Sequence, residues 1–243
     1  MPVIVPLSKT TMLSIERRLR TLFQAQVVGI IRVADAECAV GLGRALIAGG
    51  FRCVEVTMTV AGALEAIKAL AQEAPEDVMI GAGTVTGAVE ARQCIEAGAQ
   101  FLVSPICETD IIRPSREAGV VAIPAGMTPT EIVHAWRLGA HVVKVFPAGA
   151  IGGPVFIKAV RGPLPDIPLW VSGAVQPGET QAYLAAGAQL VGLNASALLA
   201  SPLAADNWEA VAAAAQAMLR QAQPGNGAGS PLAHGGESSL GRR

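Results

Sequence analysis

The chain has 243 residues, 51% of them apolar and 15% charged, and a formal net charge of −1 at pH 7. Because it lacks basic clusters and is poor in aromatic residues, nucleic acid and anionic membranes are poor partners, and a small-molecule substrate is expected. No window reaches the length of a membrane span, and the apolar start is broken by two prolines, unlike a secretory signal. The four cysteines form no CxxC pair, which argues against a zinc or dithiol site. The expected location is the cytoplasm.

The first predicted element is an amphipathic helix at 9–25, placed where it could cover the bottom of the fold. After it, one junction recurs: a helical stretch ends in Ala-Gly or Leu-Gly, and an apolar strand begins within a few residues. Glycine just past a helix end supplies the left-handed cap that returns the chain to a sheet. The junction occurs in IAGGFRCVEV, IEAGAQFLVSP, REAGVVAIPAG, RLGAHVVKVF and LAAGAQLVGL.

Three further strand-like runs, at 27–33, 78–85 and 168–175, bring the predicted strands to eight. The helical patterns between the strands have the length that βαβ units need. The sequence therefore predicts an α/β fold, a closed (β/α)8 TIM barrel, with an open doubly wound sheet as the alternative. The predicted organisation is an N-terminal extension and helix at 1–26, the barrel at 27–222, and a disordered Gly/Ser/Pro-rich tail at 223–243.

Lys144 is a single amine in the apolar run Val-Val-Lys-Val-Phe of the sixth predicted strand. Burial disfavours the charged form of an amine, and a neutral lysine is a nucleophile that can form a Schiff base with a carbonyl compound. The structural alternative is a lysine whose stem packs in the core while its amine reaches water at the strand end. The residues at the ends of the other predicted strands distinguish the nucleophile from the structural lysine.

Parallel barrels carry their chemistry where the strands end, and the polar residues at the predicted strand ends form a short set. Period-two alternation places Glu55, Thr57 and Thr59 on one face, expected to be the inward one. Glu55 and Lys144 would then either form a buried structural ion pair, or divide the work of imine formation and proton transfer. The second possibility suits cleavage of a carbon–carbon bond next to a carbonyl. The other strand-end residues are Arg32, Thr84, Ser104-Pro105, Ser172-Gly173, Asn194 and Ser196.

Five short motifs follow one another along the chain: Glu55-Val56-Thr57, Gly-Ala-Gly-Thr-Val at 81–85, Ser104-Pro105, Met-Thr-Pro-Thr-Glu at 127–131 and Lys-Val-Phe-Pro-Ala at 144–148. In this order they resemble the class I 2-keto-3-deoxy-6-phosphogluconate (KDPG) aldolases and the related 4-hydroxy-2-oxoglutarate (KHG) aldolases. The resemblance runs from about Val27 to Leu198. Five motifs in register are far more specific than any one of them.

The resemblance implies a role for several residues. Lys144 would form the iminium, Glu55 would be the general acid and base, and Thr84 would bind the carboxylate end of the substrate. Pro105 and Phe146 would line the pocket around the pyruvyl carbon. The resemblance also implies chemistry that needs no cofactor or metal, and a homotrimer.

Two departures from the family pattern concern the substrate. Thr59 stands where many members have an arginine for the substrate carboxylate, and Arg32 either supplies that charge or is a surface arginine at the rim. At the phosphate end, a Thr-Gly-Gly turn reads Ser172-Gly173-Ala174, and a Gly-Ser pair reads Ala195-Ser196. Two glycines that let backbone amides approach an anion have therefore gained methyl groups, although the amides and the Ser196 hydroxyl remain. All of these residues, from Thr59 and Arg32 to the phosphate end, are expected to contact the substrate.

The predicted function is that of a lyase which cleaves a 2-keto-3-deoxy sugar acid, as its 6-phosphogluconate or 6-phosphogalactonate form, to pyruvate and an aldehyde such as glyceraldehyde 3-phosphate. One alternative is the same chemistry on 4-hydroxy-2-oxoglutarate, which gives pyruvate and glyoxylate. An alternative of another class is a catalytically silent barrel that binds a keto acid.

Overall fold

The computed structural model describes residues 7–200 and 207–223, in which strands and helices alternate. The helices are α1 (Lys9–Ala25), α2 (Ala36–Ala48), α3 (Ala63–Glu73), α4 (Ala88–Glu96), α5 (Thr109–Glu117), α6 (Pro129–Arg137), α7 (Gly153–Arg161), α8 (Thr180–Ala185) and α9 (Trp208–Ala222). The strands are β1 (Val27–Ile31), β2 (Cys53–Thr57), β3 (Met79–Gly83), β4 (Phe101–Val103), β5 (Val121–Ile123), β6 (Val143–Val145), β7 (Leu169–Val171) and β8 (Leu190–Asn194). Short 3-10 helices lie at Gly149–Ile151, Pro177–Glu179 and Ala195–Ala200.

The eight strands form one parallel sheet in the order β5-β4-β3-β2-β1-β8-β7-β6. The sheet closes between β5 and β6, where the Lys144 N–H donates to the Pro124 carbonyl at 2.8 Å and the Gly126 N–H donates to the Lys144 carbonyl at 2.9 Å. The predicted (β/α)8 barrel is confirmed, because an open doubly wound sheet has no such closure. Lys144 lies at the seam.

Helix α1 covers the bottom of the barrel, as its amphipathic pattern predicts. Ser8 caps the helix by accepting the Thr11 N–H at 3.1 Å, and the fully buried Leu22 packs against the inward side chains at the lower ends of the strands. The lower barrel is thereby filled with apolar side chains, among them Val28, Cys53, Met79, Phe101, Trp170 and Leu190. The polar inward-facing side chains lie at the opposite end of the barrel, where the strands end.

The predicted domain boundaries remain predictions. Of the predicted tail at 223–243, all but Gln223 lies outside the described residues, as do the first six residues of the extension. Within the described ranges, no helix combines the length and the apolar character that crossing a membrane requires.

Before each of β4, β6 and β8, a side chain accepts a backbone hydrogen bond from the preceding strand and so continues the hydrogen bonding of the sheet. Gln100 before β4 and Gln189 before β8 each accept a backbone N–H of the preceding strand, from Ile80 at 3.1 Å and from Leu169 at 2.7 Å. His141 occupies the corresponding place before β6, and its Nδ1 accepts the Ala122 N–H at 2.9 Å. An imidazole that accepts at Nδ1 carries its proton on Nε2 and is neutral. Closure of the barrel at the β5–β6 seam therefore uses a neutral histidine.

We expect His141→Gln to make the protein less sensitive to acid. Burial, aided by the charge of Arg116, lowers the pKa of His141 to about 4, whereas an unfolded histidine titrates near its ordinary value. Between these values the unfolded chain binds more protons, so the parent loses stability as pH falls, by about 3 kcal/mol at pH 4 from this group. Gln100 and Gln189 show that an amide makes the same contact without titrating. Urea unfolding at pH 7 and at pH 4 measures the difference, and equal pH dependence in both proteins would contradict the assignment.

Candidate active site

A cavity of about 580 Å³ opens at the carboxyl ends of the strands. Nine of the eleven predicted site residues line it, which fits the rule that barrel chemistry lies at this end. The nine are Arg32, Glu55, Thr84, Pro105, Lys144, Phe146, Ser172, Gly173 and Ala174. The other two, Thr59 and Ser196, lie beside the cavity and hold one of its residues.

Lys144 projects from β6 into this cavity and is only 6% exposed. Its Nζ lies 4.8 Å from the centre of the Phe146 ring. Burial lowers the pKa of Lys144, the charge of Glu55 opposes that shift, and the charge of Arg32 adds to it. A larger share of the amine is therefore neutral near pH 7 than for an exposed lysine.

Glu55 lies on β2 and is 1% exposed, and its Oε2 has no hydrogen-bond partner among the described residues. Burial raises the pKa of the Glu55 carboxyl, although Lys144 and Arg32 both counteract that shift. The carboxyl has room only because position 83 is glycine, where a β-carbon would lie 1.7 Å from Oε1. A buried carboxyl with a raised pKa holds its proton more readily than an exposed glutamate, which suits it to exchange protons with a substrate.

The structure does not show a direct ion pair between Glu55 and Lys144. Within the described part of the chain, the ion pairs closer than 4.0 Å are Arg44 with Glu73 and Arg52 with Asp77, both on the surface. The carboxyl and the amine instead share a cavity and influence each other across it. The cavity that they share has room for a small substrate.

Arg32 follows β1 and is an exposed residue at the edge of the cavity, where three hydrogen bonds hold it. Its Nη1 donates to Thr59 Oγ1 at 2.9 Å, and its Nη2 donates to Thr84 Oγ1 at 3.0 Å. Its backbone N–H donates to Ser196 Oγ at 2.8 Å. Arg32 lines the cavity, and Thr59 holds its guanidinium whereas Ser196 holds its backbone.

The end of the cavity beside β7 keeps a glycine-like backbone. Gly173 has φ 87°, and Ala174 has φ 58°, in the left-handed region that costs a non-glycine residue roughly 1 kcal/mol. A β-carbon at Gly173 would lie 2.8 Å from the Phe146 ring, so glycine is needed there. The Ser172 hydroxyl is buried and has no partner among the described residues. Thr84 also has φ 58°, so two strained residues face the same cavity.

The sequence-based prediction missed part of the wall. Met218 comes from α9, and a methionine on a helical face gives no signal of a pocket. Gly192 on β8 does carry a signal, because glycine within a strand often marks a close approach, and a β-carbon there would lie 2.8 Å from Ile30. The residues not predicted are Ile30, Val175, Gln176, Pro177, Gly192, Leu193, Ala197 and Met218, whereas Asn194 was among the polar strand-end residues.

An amine with a lowered pKa, a buried carboxyl with a raised pKa and a guanidinium held by hydrogen bonds, all in one cavity, are suited to condensation with a keto acid. Among the described residues, no group of three or more His, Cys, Asp or Glu side chains could hold a metal ion. A family model for KDPG and KHG aldolases matches residues 15–214. The chain belongs to this aldolase family. Aldolases break carbon–carbon bonds, so the protein is a lyase.

Similar proteins carry related names. The aldolase is 40% identical over 161 residues to the 2-dehydro-3-deoxy-phosphogluconate aldolase of Pseudoalteromonas atlantica, covering 66% of this chain and 74% of that one. It is 36% identical over 159 residues to the KHG/KDPG aldolase of Escherichia coli, covering 65% and 74% of the two chains. The crystal structure of the KDPG aldolase from Legionella pneumophila, with pyruvate captured as a covalent carbinolamine, superposes with a TM-score of 0.72 at 28% identity, covering 81% of this chain and 96% of that one.

Proposed function

We propose that this aldolase acts through an iminium on Lys144 and releases pyruvate from a 2-keto-3-deoxy sugar acid, preferably its 6-phosphate. The observation that carries the proposal is the buried Lys144 amine, which no carboxylate of the described residues approaches within 4.0 Å, in a cavity shared with the buried Glu55 carboxyl. The covalent carbinolamine in the Legionella pneumophila relative supports the same first step here.

In the proposed reaction, the neutral Lys144 amine attacks the keto carbon C2, and the carbinolamine loses water to give the iminium. The Glu55 carboxylate then takes the proton of the C4 hydroxyl. The C3–C4 bond breaks, its electron pair moves into the iminium to form an enamine, and the aldehyde leaves. The Glu55 carboxyl then gives its proton to C3 of the enamine, and water hydrolyses the resulting iminium, which releases pyruvate and restores Lys144. Arg32 and Thr84 would hold the substrate carboxylate, and Pro105 and Phe146 would enclose the pyruvyl carbon.

The preference for a 6-phosphate rests on the backbone at Gly173 and Ala174. Alanine at position 174 adopts the left-handed conformation that a glycine would take there, so its amide keeps the same orientation. The Ser172 hydroxyl, which has no hydrogen-bond partner in the described part of the chain, would bind substrate there. The second candidate substrate is 4-hydroxy-2-oxoglutarate, favoured by the methyl group of Ala174 at the end where a phosphate would lie, and by the double name of the Escherichia coli relative.

We also propose that the enzyme assembles as a homotrimer, the assembly that its resemblance to these aldolases implies. Exposed apolar side chains on and before α6, Met127 and Trp136, support association of this face with another copy. Sedimentation velocity measures the assembly directly, and a monomer at micromolar concentration would contradict it.

The proposal is tested by borohydride reduction in the presence of pyruvate, followed by peptide mapping, and by a substrate panel. We expect a pyruvyl adduct on Lys144, and a higher kcat/KM for the 6-phosphates than for 4-hydroxy-2-oxoglutarate. Ala174→Gly should raise that preference about threefold, because it removes a methyl group and backbone strain from the phosphate end. A reversed preference would favour the second substrate. No adduct and no pyruvate from any substrate would favour the silent keto-acid-binding barrel.

A further inference from the structure

Two threonines of β2 and its following turn connect Arg32 to the backbone. Thr59 Oγ1 accepts from Arg32 Nη1 at 2.9 Å and lies 2.9 Å from Thr57 Oγ1. Thr57 is fully buried, and its hydroxyl donates to the Ile31 carbonyl at 3.0 Å. Arg32, Thr59, Thr57 and the Ile31 carbonyl therefore form a continuous chain of hydrogen bonds.

The direction of this chain is fixed by the chemistry of its ends. A guanidinium can only donate, a carbonyl can only accept, and each hydroxyl has one hydrogen. The contacts are all satisfied only when Arg32 donates to Thr59, Thr59 donates to Thr57, and Thr57 donates to the carbonyl. Hydrogen bonds aligned in this way reinforce one another. Neither hydroxyl then has a hydrogen left for a ligand.

We propose that Thr57 and Thr59 are positioning residues that hold the Arg32 guanidinium towards the substrate carboxylate. The inference rests on the proposed function, in which Arg32 binds that carboxylate, and it changes the role of Thr59. In the sequence-based prediction Thr59 contacts the substrate, whereas here it acts through Arg32. This agrees with its place beside the cavity rather than in its wall.

Anchoring matters because Arg32 shares its cavity with the acidic Glu55. Thr59 and Thr84 take one N–H from each of the two Nη atoms, which keeps the guanidinium out of contact with that carboxylate. The remaining N–H groups are left for the ligand. A guanidinium released from Thr59 could turn towards Glu55, and the substrate carboxylate would then have to compete for it. The expected consequence is weaker binding of a keto acid, with a smaller effect on the chemistry.

The test measures how borohydride trapping of the full-length enzyme depends on pyruvate concentration. Loss of a charge-assisted contact in Arg32→Ala should raise the half-saturating concentration about 10–100-fold. Thr59→Val and Thr57→Val keep the side-chain shape but lack the hydroxyl, and should raise the half-saturating pyruvate concentration about 3–10-fold. Their effect on the limiting rate of trapping should be smaller. In Thr59→Ser and Thr57→Ser the half-saturating concentration should lie within about twofold of the parental value, since serine keeps the hydroxyl. Thr86→Val is the matched control, because that exposed threonine bonds Glu90 instead.

The double variant Arg32→Ala/Thr59→Val separates the possible results. If Thr59 acts through Arg32, Thr59→Val has no further effect once Arg32 is absent. A full effect in that background would mean that Thr59 binds substrate directly, and would overturn the inference. The inference would also be overturned if Thr57→Val and Thr59→Val bound pyruvate as the parent does while Arg32→Ala bound it more weakly. If Arg32→Ala itself binds pyruvate normally, the assigned carboxylate contact is wrong and the inference fails with it, whereas a Lys144 adduct would still support the aldolase mechanism. Thermal unfolding of each variant identifies any that is misfolded, and Thr59→Val suffices if Thr57→Val does not fold.

Discussion

Lys144→Met is expected to form no borohydride-stable adduct with pyruvate and to lose aldol cleavage by about 10⁴-fold or more, because no other lysine among the described residues lines the cavity. Methionine keeps most of the volume of the lysine stem. It also removes a buried amine whose desolvation opposes folding, so the thermal unfolding midpoint should equal or exceed that of the parent. The measurements are intact mass after reduction, pyruvate release and thermal unfolding.

Lys158→Ala is the matched control, since this lysine is exposed near the end of α7. It should retain the adduct and the parental rate. An adduct of pyruvate on Lys144→Met, or cleavage near the parental rate, would show that the covalent step does not use Lys144. A midpoint well below the parental one would instead show that Lys144 is needed for the fold, which is the structural alternative for a buried lysine.

The presence of Lys144 and Glu55 in one cavity could be predicted because it depends on strand periodicity and on the barrel fold. Both residues stand at inward positions near the ends of recognisable strands, and a barrel brings all strand ends together. The helix at 9–25 could be predicted as well, since Ser8 and the apolar stripe mark its start and its face. These features are local in sequence.

The anchoring of Arg32 could not be predicted in the same way. Which hydroxyl meets which guanidinium nitrogen depends on how β1, β2 and β3 lie next to one another, and sequence spacing does not give side-chain conformations. Thr59 was therefore predicted in the pocket, whereas it lies beside the pocket and holds Arg32. Met218 was missed for a related reason, because the position of α9 over the cavity is set by tertiary packing.

Glu55→Gln is expected to lower cleavage by about 10²–10⁴-fold, the usual contribution of a general acid and base. The same loss should appear in the exchange of the pyruvate methyl protons with deuterium, which isolates proton transfer from carbon–carbon cleavage. Glutamine nearly matches glutamate in shape and fits the space beside Gly83, so the fold should be kept. Glu96→Gln, at an exposed position on α4, is the control. Methyl exchange at the parental rate in Glu55→Gln would show that another group moves the proton.

The pH dependence of imine trapping distinguishes the electrostatic role of Glu55 from general damage to the site. Lys144 attacks only when neutral, so trapping falls as pH drops below its pKa. The Glu55 carboxylate raises the pKa of Lys144 and the Arg32 charge lowers it, within the larger depression that burial causes. Glu55→Gln should therefore move the acid limb of trapping to lower pH, and Arg32→Ala should move it to higher pH. Damage that merely loosens the cavity would hydrate Lys144, raise its pKa and move the acid limb to higher pH in both variants. Shifts of the acid limb in opposite directions would therefore show that the two charges act on one amine.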